Sequence, residues 1–489
     1  MRKIYINGDF ITLENNEIEG IAIENDKILK TGSKEEILKL ASNDTEIINL
    51  NGKTMMPSFI DAHSHIFALA KQLLEVSVED VKSIEDIKNK LIEYKKQNQT
   101  DDWIIVNGYD NNALLEKRHI TKQEIDEIFP NNPVIIENKS RHNGIANSKA
   151  LQEVGITEKS QNPEGGRIIF STGFLEETAF INSLKKVPLP KKANIITSFR
   201  KAQEIYASYG ITTAQEGAVT KELAEIYKLL ASQNNIFLDI ALYMDANSLD
   251  ETEKITKDYM QNYKNNLKIG GIKIFLDGSP QARTAWLRTP YEGEAEYCGY
   301  GTMKNEELDK ILQIAKEKKL QVLAHCNGDK AGEQFINGIK KVDGLERPVM
   351  IHAQTLGIDQ LKEVKQNNII PSFFIGHIYY FGDIHIKNLG IKRAEHISPA
   401  GSSLKENILF TFHQDTPVIE PDMFETIWCA VNRKTKEEVV LGETEQISVL
   451  EAIKAVTINS AYQYGEENLK GSIKEGKKAD LIILDKNPL

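Results

Sequence analysis

The sequence predicts a (β/α)8 TIM barrel with a small β-domain built from both termini and an inserted α/β subdomain. Three observations predict it. Eight short apolar runs alternate with amphipathic helical stretches through most of the 489 residues, the pattern of βα repeats. Reactive residue types stand at the C-terminal ends of several runs, where a barrel gathers its chemistry. Both ends of the chain instead show β-like runs broken by turn signals, a style that suits one small domain uniting the termini.

Residues 1–54 hold the β-like runs KIYING, IEGIAIENDKIL and TEIINLNGK and are expected to form the N-terminal part of the β-domain. The barrel starts over 55–76 with MMPSFIDAH. Residues 77–190 are far more than one connecting helix requires. They contain the helical stretch SIEDIKNKLIEYKKQ and the β-like runs WIIVNGYD and PVIIENKS, so an inserted α/β subdomain is expected there. The barrel resumes over 191–465 with GITTAQEG, IFLDIALYM, GGIKIFLDG, LQVLAHC, PVMIHA, IIPSFF and ILFTFHQD. With the first run these make eight strands, the number a closed barrel needs. Residues 466–489 return to a turn followed by the strand-like LIIL and are expected to complete the β-domain.

Bulk composition narrows the function. Sixty basic against 71 acidic residues leave a formal charge of −11, which argues against nucleic acid or an anionic membrane as partner. A hydrophobic fraction of 40% supports a large core and argues against disorder. No apolar run is long enough for a transmembrane helix, and MRKIYINGDFITL lacks the apolar stretch of a secretory signal. Cys298, Cys326 and Cys429 are too widely spaced for a zinc knuckle or a disulfide framework. A cytoplasmic protein with reduced thiols, acting on a small molecule, is the simplest expectation, and a homodimer is compatible with it.

The strongest chemical signal is Asp61-Ala62-His63-Ser64-His65, directly after the first apolar run. Residues two apart on a strand share a face, so His63 and His65 project together. Two neutral imidazoles on one face make half of a metal site, although a lone His-x-His is common by chance. Four later residues change the balance. His325 ends LQVLAH, His352 ends PVMIH, and Asp415 ends ILFTFHQD. Lys273 lies inside the apolar GGIKIFLDG, where an unpaired ammonium is costly. Each has a bland counterpart: a satisfied core histidine, a helix-capping aspartate, a snorkelling lysine. Their convergence at strand ends of one barrel points to a divalent-metal site. A buried lysine has a lowered pKa, so its neutral amine can capture CO2, and the resulting carbamate can span two cations.

This constellation resembles the amidohydrolase superfamily, and within it the YtcJ-like branch, over nearly the whole chain. FIDAHSH is similar to the family's first-strand motif, and RHNGIANSKALQEVGI resembles its His-x-x-Trp-x-Asn-Ser block. PEGGRI, GITTAQEG, KIFLDGS, AHCNGD, QDTPV and KGSIKEGKKADLIILDKNP also match. Three positions depart from the pattern. Ile351 replaces the usual acidic residue before the sixth-strand histidine, His413-Gln414-Asp415 replaces Gly-Ser-Asp, and Ile145 stands where an aromatic is usual.

The resemblance implies that His63, His65 and Asp415 hold one ion, that His325 and His352 hold a second, and that Lys273 bridges them as an N-carboxylated lysine. Zinc is the first expectation, with iron, manganese and cobalt compatible. It further implies hydrolysis of a non-peptide C–N bond, in an amide, N-acyl, N-formyl or cyclic amide, with Asp415 as the catalytic proton carrier. Two alternatives stand beside it: deamination by a single-metal site, and a catalytically silent scaffold. His142, Arg283, His377 and His385 come from segments expected over the barrel mouth and are the candidate substrate contacts. Cys326, adjacent to His325, is expected to turn away into the core.

Overall fold

The computed structural model describes residues 2–14, 16–97, 103–138, 143–163, 166–188, 192–260 and 262–489. The chain divides into two compact units, residues 1–67 with 203–489 and residues 68–202.

The larger unit contains an eight-stranded parallel sheet in sequential order. Its strands are β1 (Phe59–Ile60), β2 (Ile211–Val219), β3 (Asp239–Asp245), β4 (Leu267–Phe275), β5 (Gln321–Cys326), β6 (Val349–His352), β7 (Ile370–Phe373) and β8 (Thr411–Phe412). Every pairing in it is parallel. All eight fall on the apolar runs read from the sequence. These runs lack strict alternation because a parallel barrel strand is buried on both faces. Gly271 on β4 has a steric reason: a Cβ there would meet the Gln321 carbonyl of β5 at 2.0 Å.

The seam between β1 and β8 is joined in two ways. At the C-terminal ends, Asp415 donates its backbone N–H to His63 (3.3 Å) and His65 donates to Thr416 (2.8 Å). Lower down, the helix Ile458–Gln463 and the tyrosine after it plug the opening. Gln463 Nε2 donates to the Ala62 carbonyl, and its Oε1 accepts from Thr411 on β8. Tyr464 donates its hydroxyl to the Asp61 carbonyl and packs with Ile60, Tyr243, Leu323, Val349, Ile351 and Ile370 in the barrel interior. The Tyr464 hydroxyl also accepts from Gln215 Nε2 (3.0 Å), so the plug is hydrogen-bonded to a side chain of β2 whose Oε1 reaches the mouth.

The terminal segments of the same unit form two small sheets. One orders the strands 27–32, 20–24, 2–6 and 45–49. The other places Thr54–Pro57 between Asp9–Phe10 and the C-terminal strand Leu481–Leu484, which pairs antiparallel to it. Ile473 from the C-terminal segment joins Ile21, Ile23, Ile28, Leu50 and Met55 in one core.

Residues 68–202 carry their own six-stranded sheet, with strands 166–169, 174–177, 143–146, 134–138, 104–109 and 76–77 in that order. The two β-like runs read in this region become the adjacent parallel strands Ile104–Tyr109 and Val134–Asn138. Ile145 lies buried on the next strand, opposite Ile136, as part of this unit's core.

Candidate metal centre

β1 delivers His63 and His65 just past its end, and β8 delivers Asp415. One donor atom from each of these three residues lies within 4.8 Å of the others. His65 Nε2 is 3.3 Å and His63 Nε2 3.5 Å from Asp415 Oδ1. The far nitrogen of each ring is held from behind. His63 Nδ1 stands 2.5 Å from Gln215 Oε1, and His65 Nδ1 is 3.0 Å from the Gly217 carbonyl and 3.5 Å from Glu216. With the ring proton of His63 committed to Gln215, its Nε2 keeps a lone pair. Burial opposes charge on His65, but Asp415 and Glu216 outweigh it and push its pKa up to about 10. Glu216 is itself fixed by the Tyr227 hydroxyl at 2.7 Å.

Gly217 is what lets the rings fit. A Cβ at that position would lie 2.8 Å from His63 Cε1 and 3.0 Å from His65 Cε1. The run GITTAQEG reads as a strand, but nothing in it marks Gln215, Glu216 and Gly217 as supports of the site. Their partners lie about 150 residues away, a pairing that one sequence does not display.

Lys273 is buried on β4, with Nζ 3.1 Å from His63 Nε2 and above the Phe275 ring. Burial holds its pKa down to about 8. His325 ends β5. Its Nε2 is 3.0 Å from the Gly278 carbonyl and 3.6 Å from Asp277, a buried carboxylate that accepts backbone N–H groups of Trp286, Asn327 and Gly328. His352 ends β6, and its ring lies 4.6 Å from that of His325 and 5.8 Å from that of His63, centroid to centroid. Its Nε2 is 3.9 Å from Asp415 Oδ2.

Simple strand alternation does not account for His352. Val349 and Ile351 belong to the interior cluster, so the next side chain would turn outward. The backbone instead enters the left-handed region, with φ +70° at His352 and +45° at Ala353, and the ring enters the mouth. Asp415 also has a left-handed backbone, at φ +54°. For residues with a Cβ such conformations cost energy, and they are typical of functional sites.

The electrostatics suit a cation. Burial, reinforced by Lys273, pushes His325 down to about 4 and His63 well below the usual imidazole range. Burial, then His325, does the same to His352. Neutral imidazoles with free lone pairs are ligands. Burial opposes charge on Asp415, but His65 and the other histidines hold it well below the ordinary carboxylate range. Asp415 Oδ1 is buried and has no hydrogen-bond partner among the described residues. An ionised, partnerless oxygen facing two imidazole nitrogens fits a divalent ion, and the donor set fits the borderline metals.

The remaining candidates behave differently. Arg283 is occupied within its own loop: it donates to the Glu292 carbonyl, pairs with Glu294 at 3.2 Å and lies over the Tyr291 ring. His377 and His385 sit on one face of the helix His377–Leu389, both buried, with ring centroids 5.5 Å apart. His377 stacks against His352 at 6.3 Å. Neither nitrogen of His385, and not Nδ1 of His377, has a partner among the described residues. His142 lies outside the described residues. Cys326 is buried and unpaired.

Comparison with known proteins identifies the family. A model described as the amidohydrolase family matches residues 46–489. YtcJ of Bacillus subtilis (strain 168) is 28% identical over 513 aligned positions, covering 100% of this chain and 95% of the relative. An N-substituted formamide deformylase of Arthrobacter pascens is 24% identical, covering 99% of this chain and 93% of its own length. The crystal structure of an uncharacterized metal-dependent hydrolase from Pyrococcus furiosus superposes with a TM-score of 0.87 at 26% identity, covering 100% of both chains.

Proposed function

We propose, from the premise that this chain belongs to the amidohydrolase family, that it hydrolyses a non-peptide C–N bond of a small molecule: an amide, N-acyl, N-formyl or cyclic amide. The observation that carries this reading is the meeting of His63, His65 and Asp415 within 4.8 Å, with the buried Lys273 amine 3.1 Å from His63. A relative whose name gives its substrate as N-substituted formamides supports the bond type. No described helix is long and apolar enough to cross a membrane.

In this reading His63, His65 and Asp415 hold one divalent ion, and His325 and His352 hold a second. The Lys273 amine, on adding to CO2 and losing a proton, would become a carbamate, an anion whose oxygens would suit divalent ions held by these residues. Zinc fits the histidine-rich set, and iron, manganese and cobalt share the preference. Such ions supply Lewis acidity that lowers the pKa of water and polarises a carbonyl. The chain's own residues do the rest. Gln215, Gly217 and Glu216 hold the rings of His63 and His65 in place. Asp415 accepts a proton from the attacking water and returns it to the nitrogen as the C–N bond breaks. Phe374 and Phe381 pack against His377, with ring centroids 4.2 and 5.0 Å away.

The test is metal analysis joined to a substrate panel. Near two ions per chain, with release of amine from N-formyl or N-acyl substrates or ring opening of cyclic amides, are expected. One ion per chain with release of ammonia from ring amines would establish deamination instead, and no bound ion would leave only a scaffold.

A further inference from the structure

His413 stands two residues before Asp415, fully buried, where the family pattern has a glycine. Its two ring nitrogens are both engaged. Nε2 lies 3.2 Å from His352 Nδ1, and Nδ1 lies 2.9 Å from the Ser372 hydroxyl, which is also fully buried. β6, β7 and β8 are thereby linked side chain to side chain, in the order His352, His413, Ser372, at the level where the mouth begins. Among the described residues, His352 differs in its support from the other three histidines of the centre. His63 is backed by an amide oxygen, His65 by a carbonyl and a carboxylate, and His325 by a carbonyl. His352 is backed by another imidazole.

We propose that His413 is a positioning residue that sets the tautomer of His352. The inference rests on the reading of His352 as a metal ligand. A neutral imidazole carries one proton, so one nitrogen donates and the other accepts. If His352 carries its proton on Nδ1, it donates to His413 Nε2. Its own Nε2 lone pair is then free on the side of Asp415, 3.9 Å from Oδ2. His413 then carries its proton on Nδ1 and donates to Ser372. Each ring holds one proton, and each contact has one donor and one acceptor. The reverse arrangement would aim the His352 lone pair at His413 and an N–H into the centre, leaving no ligand atom there. The acceptor behind a ligating histidine ordinarily is a carboxylate, carbonyl or water, and its loss weakens metal binding about ten- to a hundredfold. Here an imidazole takes that place.

Two substitutions separate positioning from mere packing. His413→Gln can place an oxygen near the Nε2 position and keep the acceptor for His352. His413→Asn reaches only as far as Nδ1, so it keeps the Ser372 contact and loses His352. Metal affinity is read by competition with a chelator, and ligand geometry by the visible absorption of the cobalt(II)-substituted protein. His413→Asn is expected to weaken one ion about ten- to a hundredfold and to alter the cobalt spectrum, while His413→Gln stays within about threefold of wild type. Ser372→Ala frees the proton on His413 from its acceptor and is expected to weaken the same ion by a smaller factor. It serves if His413→Asn does not fold. Equal losses in the Asn and Gln variants, or no loss in Asn and Ser372→Ala, would overturn the proposal. His352→Ala distinguishes the underlying reading. If it leaves metal content and affinity unchanged, His352 is no ligand and both fail. If it removes an ion while His413→Asn does not weaken it, only the positioning role fails.

Discussion

The two ends of the barrel treat buried charged groups differently. At the N-terminal ends of the strands, charges are paired. Lys470 meets Asp239 at 2.5 Å and Glu466 at 2.8 Å, Lys478 meets Asp239 at 2.7 Å, and Lys268 pairs with Glu466. The Tyr263 ring lies against all three lysines. At the C-terminal ends, Asp415 Oδ1, His385, His377 Nδ1, the Gln354 amide and the Ser398 hydroxyl are buried with no hydrogen-bond partner among the described residues. Left-handed backbones occur at both ends, at His352, Ala353, Ser398 and Asp415 here and at Lys319, Arg347 and Asn368 before the strands. The difference separates stability from function. A buried polar atom left open costs stability and persists where a ligand or a reaction uses it. The opposite face is free to complete its pairs.

The largest effect that tests this division is expected from Lys470→Met. Removing one partner of a buried ion pair costs about 3–5 kcal/mol. Lys478 and Lys268 still face Asp239 and Glu466, so the lower end of that range is expected. Denaturant unfolding would report it, with turnover per folded molecule unchanged. A matching loss of turnover would show that the two faces are coupled.

Asp415→Asn is the converse. It keeps the shape and, under the proposed mechanism, much of the metal while removing the proposed base, so turnover is expected to fall about a hundredfold or more while the unfolding midpoint stays near wild type. Retention of near-wild-type turnover would move the proton transfer to His377, His385 or His413.

A smaller effect separates the faces by pH. Asp239 is buried, which opposes its charge, but Lys470 and Lys478 outweigh this and hold its pKa below the ordinary aspartate value. A depressed acid contributes stability that is present above its unfolded pKa of about 3.9 and lost as pH falls through its folded value. The stability gap between wild type and Asp239→Asn is therefore expected to be full at neutral pH and to close on acidification. A gap that widens in acid would contradict the pairing.

The smallest effect is expected at Arg283. Its partner Glu294 is exposed, and an exposed pair is worth about 0–1 kcal/mol. Arg283→Lys should change KM for acidic and neutral substrates alike by no more than about fivefold. A selective rise for acidic substrates would return this guanidinium to the substrate.

Much of this was legible because it is local. The apolar runs marked all eight barrel strands, and His63, His65, His325, His352 and Asp415 stood at or just past their ends. What was not legible depends on partners far apart in the chain. Nothing around Gln215 announces that His63 will rest on it, and Lys470 and Asp239 lie 231 residues apart. His352 was found for an incomplete reason. Its position at the strand end was visible, but the left-handed turn that brings it inward past Ile351 was not. Arg283 shows the reverse limit: its loop position suggested a substrate contact, while Glu294 and Tyr291, a few residues on, take up its guanidinium.

The plug formed by Gln463 and Tyr464 also orders events in the protein's biosynthesis. These two side chains bind the backbone of Asp61 and Ala62 from about 400 residues away, and the strand Leu481–Leu484 pairs with Thr54–Pro57. The first strand therefore leaves the ribosome long before the groups that seal it. His63 and His65 likewise wait for Asp415. Closing such distant contacts is slow. Metal capture by the completed centre thus belongs to the finished chain, and a ribosome-bound chain arrested before residue 458 is expected to hold the ion far more weakly than the released protein.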